Sequence, residues 1–226
     1  MKDKKMLFIC NAHAGKGKIK NHLLQIINIF AKGRYEITIH PTQRQGDATE
    51  VTKKRCSEYD ILVCCGGDGT LDEVVTGMMK CDSRIPIGYI PAGSTNDFAN
   101  SLKLSNVMER AAVTVMEDKR YACDIGAFND DIFVYIAAFG IFTDVSYETR
   151  QDVKNMLGHM AYLLEGMKRL PTAANSYRLR VEYSDIVIEE DFIFGMVTNS
   201  FSVGGFKSIT GKNVKLNDGL FEVTLI

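Results

Sequence analysis

A short run of apolar residues at 61–65 leads directly into the glycine-rich segment Gly66-Gly67-Asp68-Gly69-Thr70. A run that is apolar throughout is typical of a strand buried on both faces, as in a parallel sheet covered by helices. Helical spacing of apolar residues follows at 71–79. This strand–loop–helix unit predicts an α/β fold for the first half of the chain, with loops at the carboxyl ends of its strands.

Similar units lie on both sides of this one. Further strands are predicted at 5–10, 35–40 and 85–90, and further helices at 19–30, 47–57 and 106–117. Gly33 is placed to end the first helix. Successive βα units joined by right-handed crossovers predict a three-layer domain with a parallel sheet.

The pattern changes after residue 127. Strands are predicted at 132–138, 177–183, 186–194 and 221–226, with one helix at 153–170. We therefore expect an α/β domain over residues 1–127 and a β-rich domain over residues 128–226. The last predicted strand continues to the final residue, so we expect the second domain to be incomplete.

The charge and composition of the chain exclude several classes of protein. With 27 basic and 28 acidic residues among 226, the formal net charge is −1, which gives no field to attract nucleic acid. The sequence contains no apolar run long enough to span a bilayer, and the run at 6–10 is too short for a signal peptide. The six cysteines lack C-x-x-C and zinc-ligand spacing, which predicts free thiols in a cytoplasmic protein.

The segment at 66–70 has the properties of a phosphate cradle. Its three glycines allow the backbone to approach an anion closely, and the N-terminus of the following helix attracts negative charge. Thr70 and Glu73 have the spacing of a capping box at the helix start. A carboxylate beside a phosphate needs a cation between them, so Asp68 points to Mg²⁺. The alternative is a glycine-rich turn with a solvated aspartate.

A second loop, Pro91-Ala92-Gly93-Ser94-Thr95-Asn96-Asp97-Phe98, also follows a predicted strand. Its hydroxyl groups suit phosphate or ribose oxygens, and Asp97 supplies a second carboxylate. Taken alone, the loop is better explained as an N-cap with turn residues. Two such loops at the carboxyl ends of strands in one sheet favour a ligand site.

Three further segments carry candidate residues. Asn11-Ala12-His13-Ala14-Gly15-Lys16-Gly17 lacks P-loop spacing and is either a nucleotide lid or a solvated basic turn. Asp124 lies among apolar neighbours, so it either joins a metal site or accepts backbone amides. The segment at 215–220 contains Asp218-Gly219, which is a turn or a cation site.

Together these motifs resemble the catalytic domain of the diacylglycerol kinase family, in its soluble bacterial branch. The resemblance extends along nearly the whole chain. Gly-Gly-Asp-Gly-Thr alone is less specific, because NAD kinases carry it and phosphofructokinases carry a close relative, whereas the segment at 94–98 selects the lipid kinases. Other matching segments are Gly46-Asp47-Ala48, Val145-Ser146-Tyr147-Glu148-Thr149, Thr198-Asn199-Ser200 and Asp218-Gly219.

The resemblance implies two ligands, ATP and Mg²⁺. It implies a catalytic Mg²⁺–water network around Asp68, Asp97 and Asp124, and a structural Mg²⁺ at Lys215, Asp218 and Leu220. The residues implied in ATP binding are Asn11, Ala12, His13, Ala14, Gly15, Thr42, Gly66, Gly67, Asp68, Gly69, Thr70, Leu71, Asp72, Glu73, Ser94, Thr95 and Asn96.

The resemblance also implies an NAD-kinase-like nucleotide-binding domain followed by a β-sandwich, with the lipid entering between the two domains. The partner is then a lipid at the membrane surface, reached by peripheral contact, and a homodimer is expected for soluble members. Diacylglycerol, monoacylglycerol, ceramide-like and phosphatidylglycerol-like acceptors all stay open.

Two departures from the family pattern affect these expectations. Ala12-His13 replaces the usual proline and small polar residues, which is expected to alter nucleotide affinity without abolishing it. The family's general base, a glutamate in an Asp-Gly-Glu motif, has no counterpart in the sequence. We therefore expect the 226-residue form to be weakly active or inactive.

Alternative functions remain open at this point. One is an NAD kinase with a soluble substrate, and another is a catalytically inactive nucleotide- or lipid-binding module. Membrane contact through an apolar face of the predicted helix at 153–170 is a further hypothesis, although packing of that face into the core is favoured. The face would comprise Met156, Met160, Leu163, Leu164 and Met167, with Lys168 and Arg169 at its end.

Overall fold

The computed structural model describes residues 4–129, 131–140, 176–204, 206–207, 210–211 and 213–226. The chain divides into two compact units, Met1–Val134 and Tyr135–Ile226. The sequence had placed the boundary after residue 127. The predicted helix at 153–170 and the motif at 145–149 lie outside the described residues.

The first unit is built on a parallel sheet of four strands. These are β1 (Lys4–Cys10), β2 (Tyr35–Pro41), β3 (Ile61–Gly66) and β4 (Ile87–Pro91). The strand order is β2-β1-β3-β4, so β2 and β4 form its edges. A hairpin of β5 (Gly126–Phe128) and β6 (Asp131–Phe133) also belongs to this unit. The predicted parallel α/β architecture is confirmed.

Five helices accompany the sheet among the described residues. They are α1 (Ile19–Lys32), α2 (Asp47–Arg55), α3 (Asp68–Met79), α4 (Asp97–Ser101) and α5 (Met108–Met116). Short 3-10 turns lie at Ala14–Lys16 and Cys56–Glu58.

The side chains of the central strands explain the layers. Phe8 and Val63 belong to a core shared with α1 and α5, in which Phe8 meets Phe30 edge to face at 6.0 Å. Leu7 and Leu62 alternate with these positions and are also fully buried. Because successive strand residues point to opposite faces, both faces of the sheet are covered.

Helices α2 and α3 pack closely, and this corrects the prediction that all six cysteines are free. A Cβ atom on Gly77 would lie 2.6 Å from the carbonyl oxygen of Thr49, so the two helices approach at backbone distance. This packing brings together Cys56, after α2, and Cys81, after α3, which form a disulfide. Spacing could not predict the pair, because the two cysteines are 25 positions apart in the sequence.

The second unit is antiparallel. Its largest described sheet has the order β13-β10-β7, formed by β7 (Ile136–Gly140), β10 (Phe194–Thr198) and β13 (Glu222–Leu225). Two hairpins are β8 (Tyr177–Tyr183) with β9 (Ile186–Phe192), and β11 (Ser202–Val203) with β12 (Phe206–Lys207).

Two predicted strands of the second half were too long. The strand predicted at 132–138 is divided into β6 and β7, because the chain bends at Val134 and Tyr135. The strand predicted at 186–194 ends at Phe192, and β10 begins at Phe194 after Ile193, which donates its N–H to Ile226 O at 2.8 Å. Within the described ranges, no helix combines the length and apolar character needed to cross a membrane.

Candidate active site

Three glycine-containing loops meet at the carboxyl ends of β1, β3 and β4. A Cβ atom on Gly93 would lie 2.6 Å from Gly67 Cα, so the loops after β3 and β4 touch through their backbones. Gly15 has φ +55°, and a Cβ atom there would lie 2.1 Å from the carbonyl oxygen of Ala92. Only glycine permits both contacts without displacing a neighbouring backbone.

Asp68 ties two of these loops together. Its Oδ2 accepts the N–H of Asp97 at 2.9 Å, and its Oδ1 accepts the N–H of Phe98 at 3.1 Å. These are N–H groups at the start of α4, which lack intrahelical acceptors. The carboxylate therefore fixes the loop that carries residues 93–97 relative to the loop that carries residues 66–70.

The predicted capping box at Thr70 and Glu73 is wrong. Helix α3 already begins at Asp68, after Gly67 at the N-cap, so Thr70 lies inside its first turn. The hydroxyl of Thr70 accepts a hydrogen bond from Nδ2 of Asn11 at 3.2 Å, which connects the loop after β1 to α3. Glu73 instead reaches α2, where its Oε2 accepts the N–H of Ala48 at 3.2 Å.

A cavity of about 640 Å³ opens beside these loops. Nine of the residues predicted to bind nucleotide line it: Asn11, His13, Ala14, Thr42, Gly67, Gly69, Thr70, Asp72 and Glu73. Leu71, by contrast, is buried, and Ser94 is exposed. The backbone around Asn96 is held locally, since its Oδ1 accepts the N–H of Gly93 at 2.8 Å.

Sequence reasoning missed one wall of the cavity. Gln43, Arg44 and Gln45 line it, next to the predicted residue Thr42. These residues follow β2 at its carboxyl end, as the glycine loops follow β1, β3 and β4. Position after a parallel strand was therefore the signal that could have identified them.

Asp68 and Asp97, two residues of the predicted Mg²⁺ network, are connected directly in the structure through the N–H of Asp97. Burial, and to a smaller extent the nearby Asp97 carboxylate, raise the pKa of Asp68 to about 6 against the lowering effect of its amide hydrogen bonds. An ionised pair in this position is stabilised by a cation, and Mg²⁺ that retains its waters suits two such carboxylates. Across the part of the chain that the structure describes, no three His, Cys, Asp or Glu side chains are grouped to hold a metal directly. Binding of a hydrated Mg²⁺ at Asp68 and Asp97, like a role for Asp124, stays a prediction.

The second predicted metal site lies in the second unit. Leu220 donates its N–H to Oδ1 of Asp218 at 3.2 Å, which forms a tight turn. The fully buried Asn199 donates Nδ2 to the carbonyl oxygen of Leu216 at 3.3 Å and so anchors this segment. Carbonyl oxygens of Lys215 and Leu220 with the Asp218 carboxylate are a donor set that suits Mg²⁺, and binding there stays a prediction.

The raised pKa of Asp68 predicts a pH dependence of stability for the ligand-free protein in a chelating buffer. A carboxyl group whose pKa rises from 3.8 to about 6 on folding favours the folded state while it is protonated. That contribution is complete below about pH 4 and is lost as the pH rises through about 6. At about 1.4 kcal/mol per pKa unit, the loss is about 3 kcal/mol.

Denaturant unfolding of the wild type and Asp68→Asn from pH 4 to 7.5 measures this effect. The free energy of unfolding of the wild type is expected to fall relative to that of the variant up to about pH 6.5, and the difference is then constant. Parallel profiles over the whole range would show that the carboxyl group is not perturbed by burial.

Comparison with known proteins assigns the chain to a family. The family model described as "Diacylglycerol kinase catalytic domain" matches residues 5–128, which include all three loops. The chain belongs to the diacylglycerol kinase family. It is 36% identical over 225 residues to a diacylglycerol kinase of Bacillus subtilis (strain 168), covering 99% of this chain and 74% of that protein.

Other members of the diacylglycerol kinase family agree in sequence and fold. A diacylglycerol kinase of Staphylococcus carnosus (strain TM300) is 34% identical over 224 residues, covering 99% of this chain and 72% of that protein. The crystal structure of a diacylglycerol kinase from Bacillus anthracis str. Sterne superimposes with a TM-score of 0.82 at 28% identity. That match covers 100% of this chain and 76% of the other.

Proposed function

We propose that this protein binds ATP with Mg²⁺ and transfers the γ-phosphoryl group to the hydroxyl of diacylglycerol or a related lipid. The observation that carries the proposal is the convergence of three glycine-containing loops beside one cavity at the carboxyl ends of parallel strands. Such loops and the N-terminus of α3 favour phosphate. The class of acceptor comes from the names of the relatives.

The residues of the site have separate roles in this proposal. Gly67 and Gly93 allow backbone N–H groups to approach the phosphates. Asn11 fixes the loop after β1 to α3 by its hydrogen bond to Thr70. Asp68 keeps the two glycine loops in register. Mg²⁺, when bound, would neutralise charge on the phosphate oxygens. Phosphoryl transfer depends mainly on such positioning and charge stabilisation.

In the reaction, a lipid hydroxyl oxygen forms a bond to the γ-phosphorus while the bond to the β–γ bridging oxygen breaks and ADP leaves. The hydroxyl proton passes to a carboxylate. The Asp-Gly-Glu motif that the resemblance gives for this acceptor does not occur among the 226 residues. We therefore assign the proton to none of the described residues.

Transfer of label from γ-labelled ATP to lipid tests the proposed function. The protein is mixed with Mg²⁺ and micelles that carry single lipid alcohols, with NAD as a soluble acceptor in a separate reaction. We expect weak label in a lipid, in line with the missing Asp-Gly-Glu motif, and no label when EDTA is present. The lipid with the largest kcat/KM names the substrate.

Three other outcomes would contradict the proposal in different ways. Label in NAD would make the protein a soluble-acceptor kinase. ATP binding without label in any acceptor would favour an inactive binding module. Absence of ATP binding in equilibrium dialysis would remove the nucleotide site itself.

We also propose that the β-rich second unit contacts the lipid and that the protein reaches it by peripheral association from the cytoplasm. The support for this is the lipid substrate named for the relatives. Co-sedimentation with vesicles of neutral and anionic lipid measures the association. A homodimer stays a prediction for sedimentation analysis.

A further inference from the structure

The strand order of the first unit fixes which loops lie at the two ends of the cavity. Gly67, Gly69 and Thr70 follow β3, whereas residues 42–45 follow β2, the edge strand. Strand β1 lies between them. Neighbouring strands are about 4.8 Å apart, so the two loops begin about 10 Å apart. With phosphates at Gly67–Thr70, as the proposed function has them, a nucleoside extending along the cavity would bring its base to residues 42–45.

The backbone of this wall is held in place by several hydrogen bonds. Thr42 donates its N–H to the carbonyl oxygen of Cys10 at 2.9 Å, which attaches the wall to β1. The backbone N–H of Gln43 donates to Asp47 Oδ2 at 2.8 Å. The side-chain Nε2 of Gln43 donates to the carbonyl oxygen of Pro41 at 2.8 Å. The side chain of Gln43 is therefore already engaged.

The guanidinium group of Arg44 is oriented by Glu50. Nη2 of Arg44 donates to Oε1 of Glu50 at 3.0 Å and to Oε2 at 2.8 Å. Both side chains are largely exposed, at 66% and 62%. An ion pair so exposed contributes little to the free energy of folding. The pair does give the guanidinium group of Arg44 a preferred orientation on the cavity wall.

We propose that Arg44 stacks its guanidinium group on the base of the bound nucleotide, with Glu50 as a positioning residue. This inference rests on the proposed function. A guanidinium plane stacks on aromatic rings, and every nucleobase has such a face. Arg44 therefore strengthens the binding of purine nucleotides without distinguishing adenine from guanine.

Displacement of a fluorescent, ribose-labelled ATP analogue tests the inference without requiring turnover. Arg44→Ala is expected to raise Kd for ATP and for GTP by the same factor, about 3- to 10-fold. Binding of inorganic tripolyphosphate, which has no base, stays unchanged. Arg44→Lys behaves like alanine, because it restores the charge but not the plane. Glu50→Gln gives a smaller rise for both nucleotides.

A matched control is available on the same unit. Arg120 pairs with Asp118 at 3.1 Å and is 67% exposed, but it does not line the cavity. Arg120→Ala is therefore expected to leave all three affinities unchanged.

Each other outcome overturns a specific part of the inference. Unchanged ATP affinity in Arg44→Ala, with ATP bound by the wild type, removes the role of Arg44 and leaves the proposed function standing. An equal loss for tripolyphosphate, or rescue by lysine, shows that Arg44 meets the phosphates instead. A wild type that binds no nucleotide removes the proposed function and this inference together.

Discussion

Replacing Asp68 by alanine is expected to lower kcat/KM for phosphoryl transfer by about 100-fold or more. The substitution removes both acceptors for the N–H groups of Asp97 and Phe98, so the loops after β3 and β4 lose their connection. It also removes one of the two carboxylates that we propose hold a hydrated Mg²⁺. Steady-state kinetics with varied ATP measures the loss, and circular dichroism confirms that the variant is folded.

Asp68→Asn separates the two contributions of this side chain. Asparagine retains one acceptor oxygen but no charge, so nucleotide affinity is expected to recover in part, while Mg²⁺-dependent turnover stays low. Asp60→Ala is the matched control, because Asp60 also accepts a backbone amide, from Lys5 at 2.7 Å, away from the loops. Turnover by Asp68→Ala equal to that of Asp60→Ala would show that the carboxylate is dispensable.

Gly93→Ala is the second change from which we expect a large effect. The new Cβ atom would lie 2.6 Å from Gly67 Cα and 2.7 Å from Asn96 Oδ1, and the first of these is backbone that cannot rotate away. Forcing the two loops apart is expected to destabilise the first unit by about 1–3 kcal/mol. Affinity for ATP is expected to fall by about 100-fold, as the spacing of the phosphate-binding backbone changes.

Gly69→Ala is the control for this substitution. A Cβ atom on Gly69 would meet nothing within 4 Å, and alanine is favoured over glycine inside a helix such as α3. Its thermal stability is therefore expected to equal or exceed that of the wild type, so any loss of ATP binding reports contact with the ligand. Wild-type ATP affinity in Gly93→Ala would contradict the close approach of the two loops.

Local signals predicted most of the first unit. The apolar run at 61–65 became β3 with one further residue, and the spacing of Ile19, Ile26 and Phe30 became the buried face of α1. These predictions succeed because hydrophobic periodicity reports which face of an element is buried. Splitting of the strand predicted at 132–138 shows the limit, because a bend inside an apolar run leaves that pattern unchanged.

The roles of individual polar residues were predicted less well. Thr70 and Glu73 have the spacing of a capping box, yet Thr70 accepts Asn11, 59 positions earlier in the chain, and Glu73 accepts Ala48. Cys56 and Cys81 similarly pair through the packing of α2 on α3. Spacing describes only neighbours on one element, whereas these partners come from different elements.

The sequence alone determined the α/β class, the family and most of the residues that line the cavity, because each depends on a short motif following a strand. The tertiary structure decided that Asp68 connects two loops, that Gly67 and Gly93 touch, and that Arg44 lines the cavity. These facts depend on the strand order β2-β1-β3-β4, which brings loops distant in the chain to one edge of the sheet. Periodicity and motif spacing contain no information about that order, so only the folded chain reveals which loops are neighbours.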